Sequence, residues 1–361
     1  MKPRLFSLLI TLAFSSFTSS LALDGESIKI GIIASLTGPA DEEGRNWLEG
    51  AQLAADQLIK DGIKLELVVE DDETKPASLV KAFNKMVAVD KVQAIVGGTW
   101  DFLGEAAYPL ARQHKIPFIT PTNPSEIINK AERSNPYIFS NSLTLAAERE
   151  AIKEFLKLER PASITILEAL IPWGTAHADL MQELAAELSI PVRSRLSFSY
   201  DSYPDVLRTL ALKISAYPAG LVFGGLDYLG IDYITKEFKK LKITTILLTP
   251  QHLEDAFVLG KDAERFRRCY AVYPKVIDPK FSEAFKAKHK HAPKVYAAHG
   301  YDAVMFLVQA FTAGVKLQDP TTSFVYQGVT GEHRLPTKDR GLVRNKAVMM
   351  TTRDGLFKEW N

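Results

Sequence analysis

Short apolar runs alternate with longer amphipathic stretches along most of the chain. Residues 28–33 (IKIGII) are apolar apart from one lysine and predict a strand, after which Trp47, Ala51, Ala54, Ala55 and Leu58 recur at helical spacing up to Gly62. Residues 64–70 predict a second strand, closed by Asp71-Asp72, and Pro76 opens a helix with Leu79, Val80, Phe83 and Val87 on one face. A third strand at 92–96 ends at Gly97-Gly98, followed by a helix at 103–114 and strands at 116–119 and 137–140. The rhythm then restarts. Helices at 145–158, 175–188, 204–215 and 228–241 alternate with strands at 163–167, 192–198, 221–223 and 244–248. Beyond Pro274 the pattern changes to helices at 281–289 and 296–313, and residues 341–360 read as two strands around Arg353-Asp354-Gly355.

Strands alternating with helices of this length imply βαβ units and parallel sheets. Two series of similar size predict an α/β protein of two doubly wound parallel-sheet lobes. The tail is too short for a third domain, so it must return to complete both lobes, and several crossings then restrict motion to a multi-strand hinge. The expected division is 23–143 with about 275–342 in one lobe and 144–274 with about 343–361 in the other, with crossings near Leu143-Thr144, near Pro274-Lys275 and at the start of the last strand pair.

The N-terminus changes the setting. Lys2 and Arg4 precede a mostly apolar run at 5–17, and Ser20-Leu21-Ala22 offers small residues where a signal peptidase cuts. A cleavable export signal over 1–22 is expected. The run is too short for a spanning helix, and no Cys follows the cut, so neither membrane insertion nor a lipid anchor is expected. The working protein is expected to be a free periplasmic monomer. The full chain's 44 basic and 43 acidic residues nearly cancel, and they still do once Lys2 and Arg4 are removed, so nothing predicts nucleic acid or anionic lipid as a partner. Cys269 is the single cysteine, which excludes an intrachain disulfide, and it reads as a buried strand-edge residue.

In open parallel sheets the usable crevice lies beyond the carboxyl ends of the strands. The loops there are rich in Gly, Thr and Pro: 35–39, 97–101 and 120–125 in the first lobe, 172–174, 224–228 and 249–252 in the second. Facing each other, they would hold a small molecule between aromatic walls from Trp100 and Trp173 and directional groups from Asp101, Thr122, Asn123 and Gln251. Each residue also has a structural reading. The tryptophans can belong to the core, Asp101 can cap the next helix, and Asp227 and Gln251 can face solvent. No nucleophile elbow, dinucleotide fingerprint, phosphate loop or zinc-protease motif is present, so no catalysis, cofactor or metal is expected.

Several segments carry a resemblance in collinear order: Ile30-Gly31 through Leu36-Thr37-Gly38-Pro39, Gly50-Ala51-Gln52-Leu53-Ala54, Glu70-Asp71-Asp72-Glu73, residues 91–97, residues 116–121 and Gly300-Tyr301-Asp302-Ala303-Val304. Over most of its length the chain resembles the leucine/isoleucine/valine-binding family of periplasmic solute-binding proteins, of the type I fold. The resemblance implies capture of a small solute between two lobes for a membrane ABC importer. It also implies pocket positions that this chain has altered. Asp101 stands where the family uses a Ser to hold an α-carboxylate, and Gln251 stands where a Glu often takes the amino group. Trp173-Gly174 replaces a Tyr-Gly, and Glu43 falls near a position that is often aromatic. Thr122 and Asn123 match the loop that offers a hydroxyl and backbone amides. These departures point away from an ordinary α-amino acid. They favour a cationic or polyhydroxylated solute met by Asp101 with Asp227 or Glu43, or a planar one held between the tryptophans. The alternative is a ligand-sensing or protein-binding periplasmic domain that feeds a membrane receptor.

Overall fold

Two sheets with the same strand order carry the chain. The computed structural model describes residues 27–122, 132, 134–275, 278–337, 341–343 and 346–360. The expected export signal and Asn123 lie outside these residues. The first sheet is built from β1 (Ile28–Ala34), β2 (Leu65–Asp71), β3 (Ala94–Gly97), β4 (Phe118–Thr120) and β5 (Ile138–Ser140), all parallel, in the order β2-β1-β3-β4-β5. The second uses β6 (Ile164–Ala169), β7 (Val192–Phe198), β8 (Leu221–Gly224), β9 (Ile246–Thr249) and β10 (Cys269–Pro274) in the order β7-β6-β8-β9-β10, again parallel. A separate hairpin, β11 (Phe324–Gly328) with β12 (Gly331–Leu335), follows. Then β13 (Ala347–Thr351) and β14 (Lys358–Glu359) extend the second sheet antiparallel beyond β10.

Among the described residues ten α-helices cover the sheets: α1 (Asp41–Lys60), α2 (Pro76–Lys85), α3 (Asp101–His114), α4 (Leu145–Glu159), α5 (Pro172–Glu187), α6 (Asp205–Ala216), α7 (Tyr228–Lys240), α8 (Leu253–Gly260), α9 (Pro279–His289) and α10 (Val295–Thr312). Strands β3, β4, β5, β6, β8 and β9 are buried at every position, which is why they read as mainly apolar runs rather than as strict alternation. Helix α10 returns after the second sheet to lie along α1 of the first. Their closeness depends on two glycines: a Cβ at Gly50 would stand 1.8 Å from the Ala297 carbonyl oxygen, and one at Gly300 would stand 2.1 Å from that of Trp47.

The structure moves several expected boundaries. Helix α3 starts at Asp101 and α5 at Pro172, two and three residues before their apolar periodicity becomes visible. Asp101 and Trp173 therefore stand in first helical turns. Helix α8 and the β11–β12 hairpin carry too little periodicity to be read from sequence, being eight residues long and five residues per strand. Cys269 is buried at the edge of a strand, as expected. It opens β10, between β9 and β13, is 3% exposed, and burial pushes its thiol up to about 12.

Candidate functional site

Each sheet reverses its strand order at one point, between β1 and β3 in the first and between β6 and β8 in the second. The loops leaving such switch points bracket the crevice of a doubly wound sheet. Here both sets open onto one cleft of about 500 Å³. Trp100, Asp101, Phe102 and Thr122 line it from the first lobe. Trp173, Tyr200, Tyr203, Asp227, Gln251 and His252 line it from the second, and Tyr296 of α10 faces it as well. Among the described lining residues none is Lys or Arg.

Asp101 holds the two sides together. One of its oxygens accepts a 2.9 Å hydrogen bond from the Phe102 amide at the start of α3, and the other accepts a 3.2 Å bond from the Trp173 amide at the start of α5. Asp101 is not the N-cap of α3, a position that falls to Trp100; it stands in the first turn, and its more informative bond crosses to the other lobe. Unpaired amides and aligned peptide dipoles make a helix N-terminus attractive to an anion. This chain fills the junction of two such ends with its own carboxylate. Burial pushes the Asp101 carboxyl up, against the pull of those amides.

Trp173 is fixed from behind. Nδ1 of His177 lies 2.8 Å from the Trp173 carbonyl oxygen, and its Nε2 lies 2.7 Å from the buried Glu148 carboxylate. The Trp173 ring packs on His177 at 4.8 Å and edge-on to His252 at 5.9 Å. Asp227 is the N-cap of α7 and accepts from the Gly230 amide at 2.6 Å; burial raises its carboxyl too. Beside it Tyr200 and Tyr203 meet edge to face at 5.3 Å, and Tyr203 meets Tyr233 in the same way at 6.2 Å. Trp100 and Trp173 therefore stand at the cleft as expected, but they share its wall with tyrosines that the sequence reading did not single out. Tyr200 and Tyr203 follow β7, and the strand-end argument used for the other loops applies equally to that loop.

Thr122 lines the cleft, but its hydroxyl already sits 2.9 Å from that of Thr120 and 3.2 Å from that of Tyr108. Gln251 and His252 both hold left-handed backbone conformations, with φ of 57° and 65°. Two consecutive non-glycine residues in that region are strained, a feature that clusters at ligand sites. Glu43 does not line the cleft. Its carboxylate is buried behind His252, with Oε1 3.4 Å from the imidazole Nδ1. Burial raises the Glu43 carboxyl. The His252 imidazole is pulled down by burial but raised on balance by Glu43 and Asp255. A second contact joins the lobes nearby, where the Tyr228 hydroxyl donates to the Pro39 carbonyl at 2.9 Å.

A two-lobed fold with matched switch points and a closed polar-aromatic cleft is the architecture of a solute receptor. Residues 27–355 match the periplasmic binding protein family, and the chain belongs to it. The leucine-, isoleucine-, valine-, threonine- and alanine-binding protein of Pseudomonas aeruginosa is 22% identical over 316 residues, 85% of this chain and 82% of its own. Among solved structures, a branched-chain amino acid transporter substrate-binding protein of Streptococcus pneumoniae, in complex with isoleucine, superposes with a TM-score of 0.80 at 20% identity, over 92% of this chain and 98% of that one. An ABC-transporter solute-binding protein of R. palustris in complex with benzoate gives 0.79 at 16% identity, over 93% and 96%. The fold is that of the type I periplasmic binding proteins, and the chain is a solute-binding protein of that kind.

Proposed function

We propose that the protein captures a small cation with an apolar or aromatic body and presents it to a membrane ABC permease. The ligand class rests on Asp101. In the family this chain resembles, that loop position takes the carboxylate of an amino acid, whereas here the protein supplies the carboxylate. It is held by the amides of two helix starts, one from each lobe. A solute carboxylate would meet Asp101 and Asp227 with no lysine or arginine among the described lining residues to offset them. An ammonium group is attracted by both acids and by the ring faces of the surrounding tyrosines and tryptophans. A cation over such a face gains about 0.5–2 kcal/mol.

The remaining assignments rest on the family and on the chain's own pattern. The protein reaches the periplasm by cleavage of residues 1–22 and works there as a monomer. Its lobes divide near 143, 275 and 342, where the chain crosses between sheets. The sequence carries none of the recognised catalytic motifs, and the cleft is read as one of binding rather than catalysis. Among the described residues no helix is long and apolar enough to cross a membrane, so delivery requires a separate permease.

The test is calorimetry on the purified full mature chain against alkylamines, arylalkylamines, polyamines, branched-chain amino acids and benzoate. Amines are expected to bind. Asp227→Asn is expected to weaken them roughly 10–100-fold, the range for loss of a charged hydrogen-bond partner. Tightest binding of benzoate or leucine, or amine binding indifferent to Asp227→Asn, overturns the ligand class. Loss of uptake of the bound amine on gene deletion separates transport from sensing.

A further inference from the structure

Behind the cleft wall lies a group of side chains that solute recognition does not account for. Glu43 stands in the first turn of α1, on the first lobe, while His252 and Asp255 stand at the start of α8, on the second. One ligand atom from each falls within 4.8 Å of the others, and all three residues are buried. Glu43 is 1% exposed, and neither of its carboxylate oxygens receives a hydrogen bond of normal geometry. The nearest candidate, His252 Nδ1, is 3.4 Å away, longer than a hydrogen bond to a charged acceptor. A buried carboxylate left without donors is costly, and nearly all such groups have a partner.

The surrounding charge supports a missing cation. The Lys294 ammonium lies 2.6 Å from Asp255 and 3.2 Å from Glu42. That one ammonium is paired with Asp255 and Glu42, and among the described residues no lysine or arginine is paired with Glu43. A divalent ion held by the imidazole and the two buried carboxylates of Glu43 and Asp255 would supply the donor partner and the positive charge that Glu43 lacks. An imidazole with two carboxylates is a donor set for borderline transition metals, and three protein ligands leave a coordination position open.

We propose that Glu43, His252 and Asp255 form a divalent transition-metal site, of the Zn²⁺ class, that joins the two lobes. Because its ligands come from both sides of the cleft, the site is complete only when the lobes are closed. The ion therefore favours closure, and closure by solute favours the ion to the same degree. His252 also lines the solute cleft, so the two sites share a wall.

The test uses the full mature chain, stripped with a chelator, in a His289→Ala/His291→Ala background. That background removes the surface histidines beside Glu49, which offer an adventitious site. ZnCl₂ is titrated by calorimetry, and Co²⁺ by visible absorption, with no solute present. One equivalent is expected to bind, with Co²⁺ giving the absorption of a low-coordinate site. Glu43→Gln and Asp255→Asn should each weaken Zn²⁺ by more than about tenfold, with folding checked by circular dichroism. The exposed carboxylate variant Glu150→Gln on α4 should bind as the parent does. Absence of stoichiometric binding, or binding that survives both Glu43→Gln and Asp255→Asn, overturns the site. Neither result depends on the identity of the solute.

Discussion

Gly300→Ala tests the join between α10 and the first lobe. The added Cβ would stand 2.1 Å from the Trp47 carbonyl oxygen and 2.9 Å from its carbon, whereas real Cβ contacts essentially never fall below 3.0 Å. The obstructing atoms belong to the backbone of α1, so no rotamer change relieves the clash and the helices must part by about 1 Å in a close-packed interior. Such overpacking costs about 1–3 kcal/mol, while replacing a mid-helix glycine by alanine returns at most about 1 kcal/mol. A net loss of about 1–2 kcal/mol is expected, or about 1–3 °C in Tm for a protein of this size. Urea denaturation followed by circular dichroism measures it, as a lower midpoint with an unchanged slope. Gly50→Ala meets the Ala297 carbonyl oxygen at 1.8 Å across the same interface. Once one substitution has separated the helices the second meets less resistance, so the double variant should lose less than the sum of the singles. Unchanged or raised stability in Gly300→Ala, or strict additivity in the pair, would refute this account of the helix crossing.

Three further outcomes are expected. Arg195 grips Glu168 through Nε and Nη2 at 2.8 and 2.7 Å and holds its carboxyl at about 2, below the ordinary 4.5. The stabilisation is therefore present above pH 4.5 and lost as pH falls towards 2, so Glu168→Gln should flatten an acid-denaturation curve across that window. Tyr228→Phe removes the bond to the Pro39 carbonyl that exists only while the lobes are together. Solute affinity should fall by about 0.5–1.5 kcal/mol in calorimetry with little change in the Tm of the solute-free protein, and equal affinity would show that the contact does not assist closure. Cys269 should stay unreactive to a thiol reagent at neutral pH until denaturant is added, because its thiol is buried and its ionisation pushed up to about 12.

The site was legible in the sequence only where a residue directly follows a strand. Trp100, Asp101, Thr122, Trp173, Asp227 and Gln251 all reach the cleft, because the end of a parallel strand is a place the local pattern can define. What each residue does there was less accessible. Asp101 was weighed as a cap for its own helix, yet its bond to Trp173 joins positions 72 residues apart. Glu43 was expected at the pocket wall, but its carboxylate lies buried behind His252 instead. Tyr200 and Tyr203 also follow a strand end, whereas Tyr296, inside α10, carries no local signal that separates a cleft aromatic from a core aromatic.

Local patterning alone determined that this chain makes two series of βαβ units, and hence two sheets, because strand and helix periodicities depend on neighbours a few residues apart. It also placed the glycines of the family-like segments, although not their purpose. Tertiary structure decided which loops face each other, that the returning α10 meets α1 through Gly50 and Gly300, and that a carboxylate of one lobe caps a helix of the other. Those are contacts between surfaces brought together by closure of the whole chain. Charge balance and desolvation at such surfaces depend on every group that arrives there, and no window of sequence contains them all.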